Sequence, residues 1–299
     1  MGAFDGHVVI ENDHGRAVVS PLAGASLRSL AAKRDNSEFE LICGGDAGTL
    51  DPHVLPHGTG SFIMAPWPNR MPGGLLIAPD GEHVVKDDSG PITIHGLVRD
   101  KEWKVASQSS SSARFEIEIP DAWPYRGKVI YEASLDGPSF VQSLTVESVE
   151  KEFPAGVGWH PWFRHSLGSG GVSIKLDAIE TWVLDEAMTP SGETSHPPLL
   201  DAVRSGSQLA AGTADDCFRI SPGAHATLNW PELTLDIASS ETINHVMVYT
   251  PPDGSALCVE PQTTCVNAFQ LHARGIPNTG TRFASPGKPL AATTIWTWH

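Results

Sequence analysis

Apolar and polar residues alternate over short runs through most of this chain. Residues 7–11 (His-Val-Val-Ile-Glu), 16–20, 38–42, 113–119 and 127–135 each place apolar side chains on every second position, as a half-buried strand does. Residues 140–149, 172–178, 233–238 and 245–249 continue the series. An i, i+3, i+4 apolar pattern rarely persists beyond two turns. The pattern therefore predicts an all-β fold, a large antiparallel β-sandwich. Residues 25–33 fit a helix or a strand equally well. Residues 107–112, rich in serine, read as a hairpin tip, and residues 190–200, with Gly192, Pro197 and Pro198, as a long loop. The spacing of candidate strands does not change across that loop, so residues 1–299 are expected to form a single domain. No repeat of solenoid or propeller length is present.

Composition agrees with this reading. The chain carries 29 Gly and 24 Pro, which punctuate it too often for long helices. Its 40% hydrophobic and 18% charged content is that of a soluble globular protein. A formal net charge of −15 disfavours nucleic acid and anionic membrane surfaces as partners. Cys43, Cys217, Cys258 and Cys265 are scattered without a C-x-x-C pair, as expected of reduced thiols. No basic segment followed by an apolar one opens the chain, and no apolar run is long enough to span a bilayer. A cytoplasmic protein is expected.

Candidate chemistry lies in a few stretches. In residues 256–263, Leu257 and Val259 point to one face, and Ala256, Cys258 and Glu260 to the other, with Pro261 expected to end the ladder. Glu260 beside small residues is a candidate general base; the bland alternative is a solvated glutamate at a strand end. Residues 65–74 hold Asn69 and Arg70 among prolines and glycines, and Arg70 either presents its donor fork to hydroxyls or pairs with a surface acid. In residues 91–100, Thr93 and His95 share a face opposite Ile92 and Ile94. His95 is a structural or a catalytic group. In residues 156–164, Val157, Trp159 and Phe163 face the core, while Gly156, Gly158, His160, Trp162 and Arg164 lie opposite. The glycines are expected to clear a face for a ligand that His160 touches and Trp162 stacks upon. Asp215 and Asp216 open a strand, and such a pair is commonly a solvated turn. Metal binding is not expected: His53 and His57 are separated by Pro56, and His160 and His165 have no accompanying cysteine or carboxylate spacing. Serine-hydrolase, Walker A and dinucleotide fingerprints are absent.

Taken in order, Asn69-Arg70 with Gly73-Gly74, Ile94-His95-Gly96, Gly158-Trp159-His160-Pro161-Trp162-Phe163, Asp215 before Phe218, and Val259-Glu260-Pro261-Gln262-Thr263 with Asn267-Ala268-Phe269 resemble the aldose 1-epimerase (galactose mutarotase) family. Leu184-Asp185-Glu186 with Pro190-Ser191-Gly192-Glu193 adds to the resemblance, which is good over residues 60–272 and weak over the first 50. It implies a galactose mutarotase-like supersandwich and cofactor-free interconversion of the anomers of an aldose sugar. It implies that Glu260 takes the proton of the anomeric hydroxyl and His160 protonates the ring oxygen. His95 and Arg70 would hold the ring-oxygen side, Asp215 would bind hydroxyls, and Asn69 would position the substrate. Trp67, Trp123 and Trp162 are candidate sugar platforms, although the family commonly has Tyr where this chain has Trp162. The chain is expected to act as a monomer or weak homodimer. Two alternatives stand beside this reading: a hexose-6-phosphate 1-epimerase, with Arg99, Lys101, Arg126 and Arg164 as phosphate ligands, and a non-catalytic sugar-binding or sensory protein.

Overall fold

The computed structural model describes residues 6–44, 51, 53, 58–86, 93–223 and 225–299. An 11-stranded sheet runs in the order Val8–Asn12, Gly15–Ser20, Ser26–Arg34, Ser61–Met64, Gly158–Arg164, Ala256–Gln262, His245–Tyr249, Asp215–Ile220, Ala178–Leu184, Pro190–Ser195, with Ser37–Glu40 paired to Ser26–Arg34. An eight-stranded sheet follows the order Ser173–Leu176, His225–Asn229, Thr234–Ser239, Leu290–Trp298, Ser139–Ser148, Gly127–Asp136, Ser112–Glu118, Lys104–Gln108. The ladders in both are antiparallel, as the alternation predicts.

A continuous apolar core joins the sheets. Phe163 of the larger sheet meets Trp296 of the smaller at 5.1 Å between ring centroids, and Phe140 packs edge-on to the same indole. Each such side chain, fully buried, contributes roughly 1.5–3 kcal/mol. Leu290, Ala292, Thr294, Trp296 and Trp298 are all buried along one strand, which is the period-two pattern in its cleanest form.

Three expectations are corrected or resolved. Residues 25–33 lie in a strand, Ser26–Arg34, buried on both faces for seven residues. A strand covered on both sides carries no alternation, so its pattern could not be told from a buried helix. The predicted loop at 190–200 contains an edge strand, Pro190–Ser195, and the start of a helix, Pro198–Ser205. There the two prolines sit where a helix begins and where their missing N–H costs nothing. Pro261 does not end its strand, which runs on to Gln262.

The middle of the large sheet contains an unusual seam. Gly158 pairs with Gln262 and Trp162 with Cys258, but the ladder is interrupted between these pairs. Trp162 N–H donates outward to Gly60 O, and Thr263 N–H donates inward to Val157 O. Strand parity therefore aims the nitrogens of Pro161 and Pro261 at each other's strand, and neither carries a proton. His160 and Glu260 stand on this seam.

Candidate active site

Antiparallel register arranges the outer face of the large sheet in two rows of directly opposed residues. One row runs Cys217, Met247, Glu260, then His160 and Phe62. Counting inward from the pairs that flank the seam places His160 opposite Glu260. The second row runs Asp215, Tyr249, Cys258, Trp162. Four of the residues named from the sequence thus share one face because each occupies the right parity in its own strand.

His160 Nε2 lies 3.1 Å from Glu260 Oε1. Glu260 is 2% exposed and His160 8%, which excludes the reading of Glu260 as a solvated surface residue. Burial drives both groups toward neutrality. The Glu260 carboxyl is pushed well above the usual carboxylate range, first by loss of water and then by the Asp215 charge, with Arg70 opposing. The imidazole of His160 is pushed down to about 3, by burial above all. Burial thus disfavours the charged form of each group. Glu260 Oε2, His160 Nδ1 and the Trp162 indole nitrogen are buried without a hydrogen-bond partner within the protein. Orphaned polar atoms gathered in one place mark a ligand site more than a fold requirement.

The remaining groups come from a folded-over pair of loops. Asn69 and His95 both take left-handed backbone, at φ 57° and 64°, and His95 N–H donates to the Asn69 carbonyl at 3.0 Å. The Asn69 side-chain oxygen accepts from the Arg70 N–H at 2.8 Å, and Asn267 N–H donates to the Arg70 carbonyl. Gly96 has no room for a side chain, because a Cβ there would sit 2.0 Å from the Ala65 carbonyl oxygen. His95 Nδ1 lies 2.9 Å from Met64 Sδ, leaving Nε2 for a ligand, and its ring meets His160 edge-on at 5.3 Å. Burial holds the His95 imidazole well below its ordinary pKa, helped by His160, Arg99 and Arg70. Asp215 is half-buried and its carboxyl is raised, by burial and by Asp216, against Arg70. A cavity of about 560 Å³ adjoins Asp215 and Tyr249 on the side away from the histidines.

Glu260, His160, His95, Arg70, Asn69, Asp215 and Trp162 are thus brought to one region, but not all in the roles expected. Trp162 stacks on His160 at 5.3 Å and 13°, so one face of its indole is already covered. Trp67 and Trp123 are each 2% exposed and stack on one another, which removes them as sugar platforms. Gly156 and Gly158 do not clear space for a ligand. A Cβ at Gly158 would meet Gln262 and Met64 within 3 Å, and one at Gly156 would meet Pro68 and Thr264. The glycines let neighbouring strands and loops close up. Sequence reasoning missed Phe62, which stacks on His160 at 4.5 Å, because Ser61–Met64 is buried throughout and shows no alternation. It also passed over Tyr249, whose position at the end of a strand two residues from a buried Met247 was the available signal.

With this geometry in view, comparisons with known proteins are decisive about the family. The family model described as aldose 1-epimerase matches residues 6–286. The chain belongs to the aldose 1-epimerase family. Among curated relatives, the uncharacterized protein YihR of Escherichia coli (strain K12) is 24% identical over 229 residues, 73% of this chain and 74% of YihR. A galactose mutarotase-like protein from Clostridium acetobutylicum superposes with a TM-score of 0.82 at 15% identity, over 98% of this chain and 95% of the other. An aldose epimerase homologue from C. elegans gives 0.78 at 17% identity, over 98% of each chain. The two solved structures share this chain's fold, which bears out the expected galactose mutarotase-like supersandwich. Among the described residues, no helix is long and apolar enough to cross a membrane.

Proposed function

We propose that this chain interconverts the α and β anomers of a free aldose by acid/base ring opening and reclosure. The observation that carries the reading is the buried 3.1 Å contact between His160 and Glu260, on which one oxygen and one nitrogen remain without partners. Binding a sugar alone does not require two opposed titratable groups held in contact out of water.

Ring opening needs one group that takes a proton and one that gives it. In the reactive tautomer Glu260 is a carboxylate and His160 an imidazolium. Glu260 takes the O1 proton as the C1–O5 bond breaks, and His160 gives its proton to O5, leaving an open-chain aldehyde and the neutral tautomer of the pair. Rotation about C1–C2 presents the other carbonyl face. O5 then attacks C1 and returns its proton to His160, while Glu260 returns its own to O1. No proton is gained or lost over the cycle, and the two groups work without exchanging protons with solvent. The Arg70 guanidinium favours the carboxylate form of Glu260. His95, through Nε2, and Arg70 hold the ring-oxygen side, Asn69 fixes the Arg70 loop, and Asp215 accepts from sugar hydroxyls across the groove. At about 4.8 Å per strand, Asp215 lies roughly 10 Å from the Glu260 strand, the breadth of a pyranose with its hydroxyls.

Of the four cations considered as phosphate ligands, Arg126 pairs with Glu150 and Lys101 with Asp100, while Arg164 donates to the Ile42 carbonyl. Only Arg99 bears electrostatically on His95 and His160. This favours the free sugar, and the test includes the phosphorylated one. Polarimetry or NMR of freshly dissolved α-D-glucose, α-D-galactose and a hexose 6-phosphate should show accelerated anomer equilibration with the free sugars. Acceleration only with the phosphate would reassign the substrate, and saturable binding without acceleration would make the chain a sugar sensor.

A further inference from the structure

A ring nitrogen of His160, Cys258 Sγ and a carboxylate oxygen of Glu260 lie within 4.8 Å of one another, all three in buried residues. Cys258 occupies the same strand face as Glu260, two residues earlier, and pairs across the seam with Trp162. We propose that this trio is a binding site for a soft divalent cation of the zinc class, which blocks the acid/base pair when it is filled.

The chemistry of the donors selects the ion. One thiolate, one imidazole and one carboxylate are a borderline-soft set that suits Zn²⁺ or Co²⁺ and is poor for Mg²⁺ or Ca²⁺. The His160–Glu260 separation of 3.1 Å is close to the edge of a tetrahedron whose bonds to the metal are about 2.0 Å. Cys258 needs to close by about an ångström to complete the face, since a zinc–sulfur bond is about 2.3 Å. Glu260 Oε2 is buried and unpartnered beside the trio, so the carboxylate has a second oxygen free to turn to the ion. A fourth position remains for water. Coordination forms a metal–sulfur bond as the S–H bond breaks, and the thiol proton, with any proton on the ligating nitrogen or carboxyl oxygen, passes to the buffer. The linear spacing of histidines gave no hint of this, because its members come from two strands and meet only through the register.

The inhibitory consequence rests on the function proposed above, whereas the site itself does not, and the experiment separates them. Titrate the full-length protein with Co²⁺ under reducing, chelator-free conditions. A thiolate-to-cobalt charge-transfer band should saturate at one ion per chain, persist in Cys43→Ser, and vanish in Cys258→Ser. His160→Gln, which keeps the thiol, should weaken binding at least tenfold. No band in the native protein, or a band that survives Cys258→Ser, overturns the site. Zn²⁺ should slow anomer equilibration with the same half-saturation at which it displaces Co²⁺. A cobalt band in a protein that equilibrates no sugar would leave the site standing and overturn the function.

Discussion

The backbone N–H of His95 donates to the carbonyl of Asn69, and both residues hold left-handed backbone. Such conformations cost on the order of 1–3 kcal/mol for side chains other than glycine, and they persist where the surroundings over-determine them. Here the surroundings are the Arg70–Ile94 and Ala65–Gly96 bridges on either side. Two loops distant in sequence are thereby clamped so that Arg70 and His95 stand over the buried pair.

Gly96 is the tightest point of that clamp. Gly96→Ala places a Cβ within 2.0 Å of the Ala65 oxygen at a φ of 76°. A loss of about 2 kcal/mol or more in urea denaturation is expected, from the strained backbone and the clash together. Sugar-dependent activity should fall with it.

Glu260→Gln removes the proposed base and keeps the shape. The rate of anomer equilibration should drop about 10²–10⁴-fold, with sugar affinity by calorimetry changed only a few-fold. His160→Gln should cost as much. The double variant should cost little more than either, because the two groups act as one unit.

Arg70 and Asp215 tune Glu260 in opposite directions. Asp215 raises the Glu260 carboxyl and Arg70 lowers it. Arg70→Met should therefore move the acid limb of the pH–rate profile to higher pH, and Asp215→Asn should move it to lower pH. The limb reports the pair as a coupled system, so the direction of the shift is the readout. Both variants should also raise KM.

His245 offers a pH-linkage test away from His160 and Glu260. It is fully buried between Trp182 and Asn244, and burial, with the Arg219 charge, holds its imidazole down to about 3. The unfolded chain titrates near 6.5, so between these values it binds one proton more than the folded chain. Stability then falls as pH drops below about 6.5, by up to about 1.4 kcal/mol per pH unit for this residue. Urea denaturation at pH 7 and pH 5 should show His245→Gln losing less stability on acidification than the native protein does.

Much of this architecture is legible in the sequence. Strands with one wet face, such as Ser139–Ser148 and Gly127–Asp136, announce themselves through alternation. Strands buried on both faces, such as Ser26–Arg34 and Ser61–Met64, do not, and the latter carries Phe62. Parity correctly grouped Cys258 with Glu260 and His160 with Trp162 within their own strands. It could not say that these strands are neighbours. Nor could residue type alone reveal that Trp67 and Trp123 spend their rings on each other, or that Gly158 serves packing against Gln262.

The facing prolines of the central seam have a mechanical consequence. With two amide donors missing, the strands Gly158–Arg164 and Ala256–Gln262 are paired at both ends and carry fewer main-chain bonds between, like a loosely sewn buttonhole. The imidazole of His160 lies against the rings of Phe62 and Trp162, and Met247 stands opposite Glu260 in the register, so substitutions at those three positions become adjustments to the distance between imidazole and carboxylate.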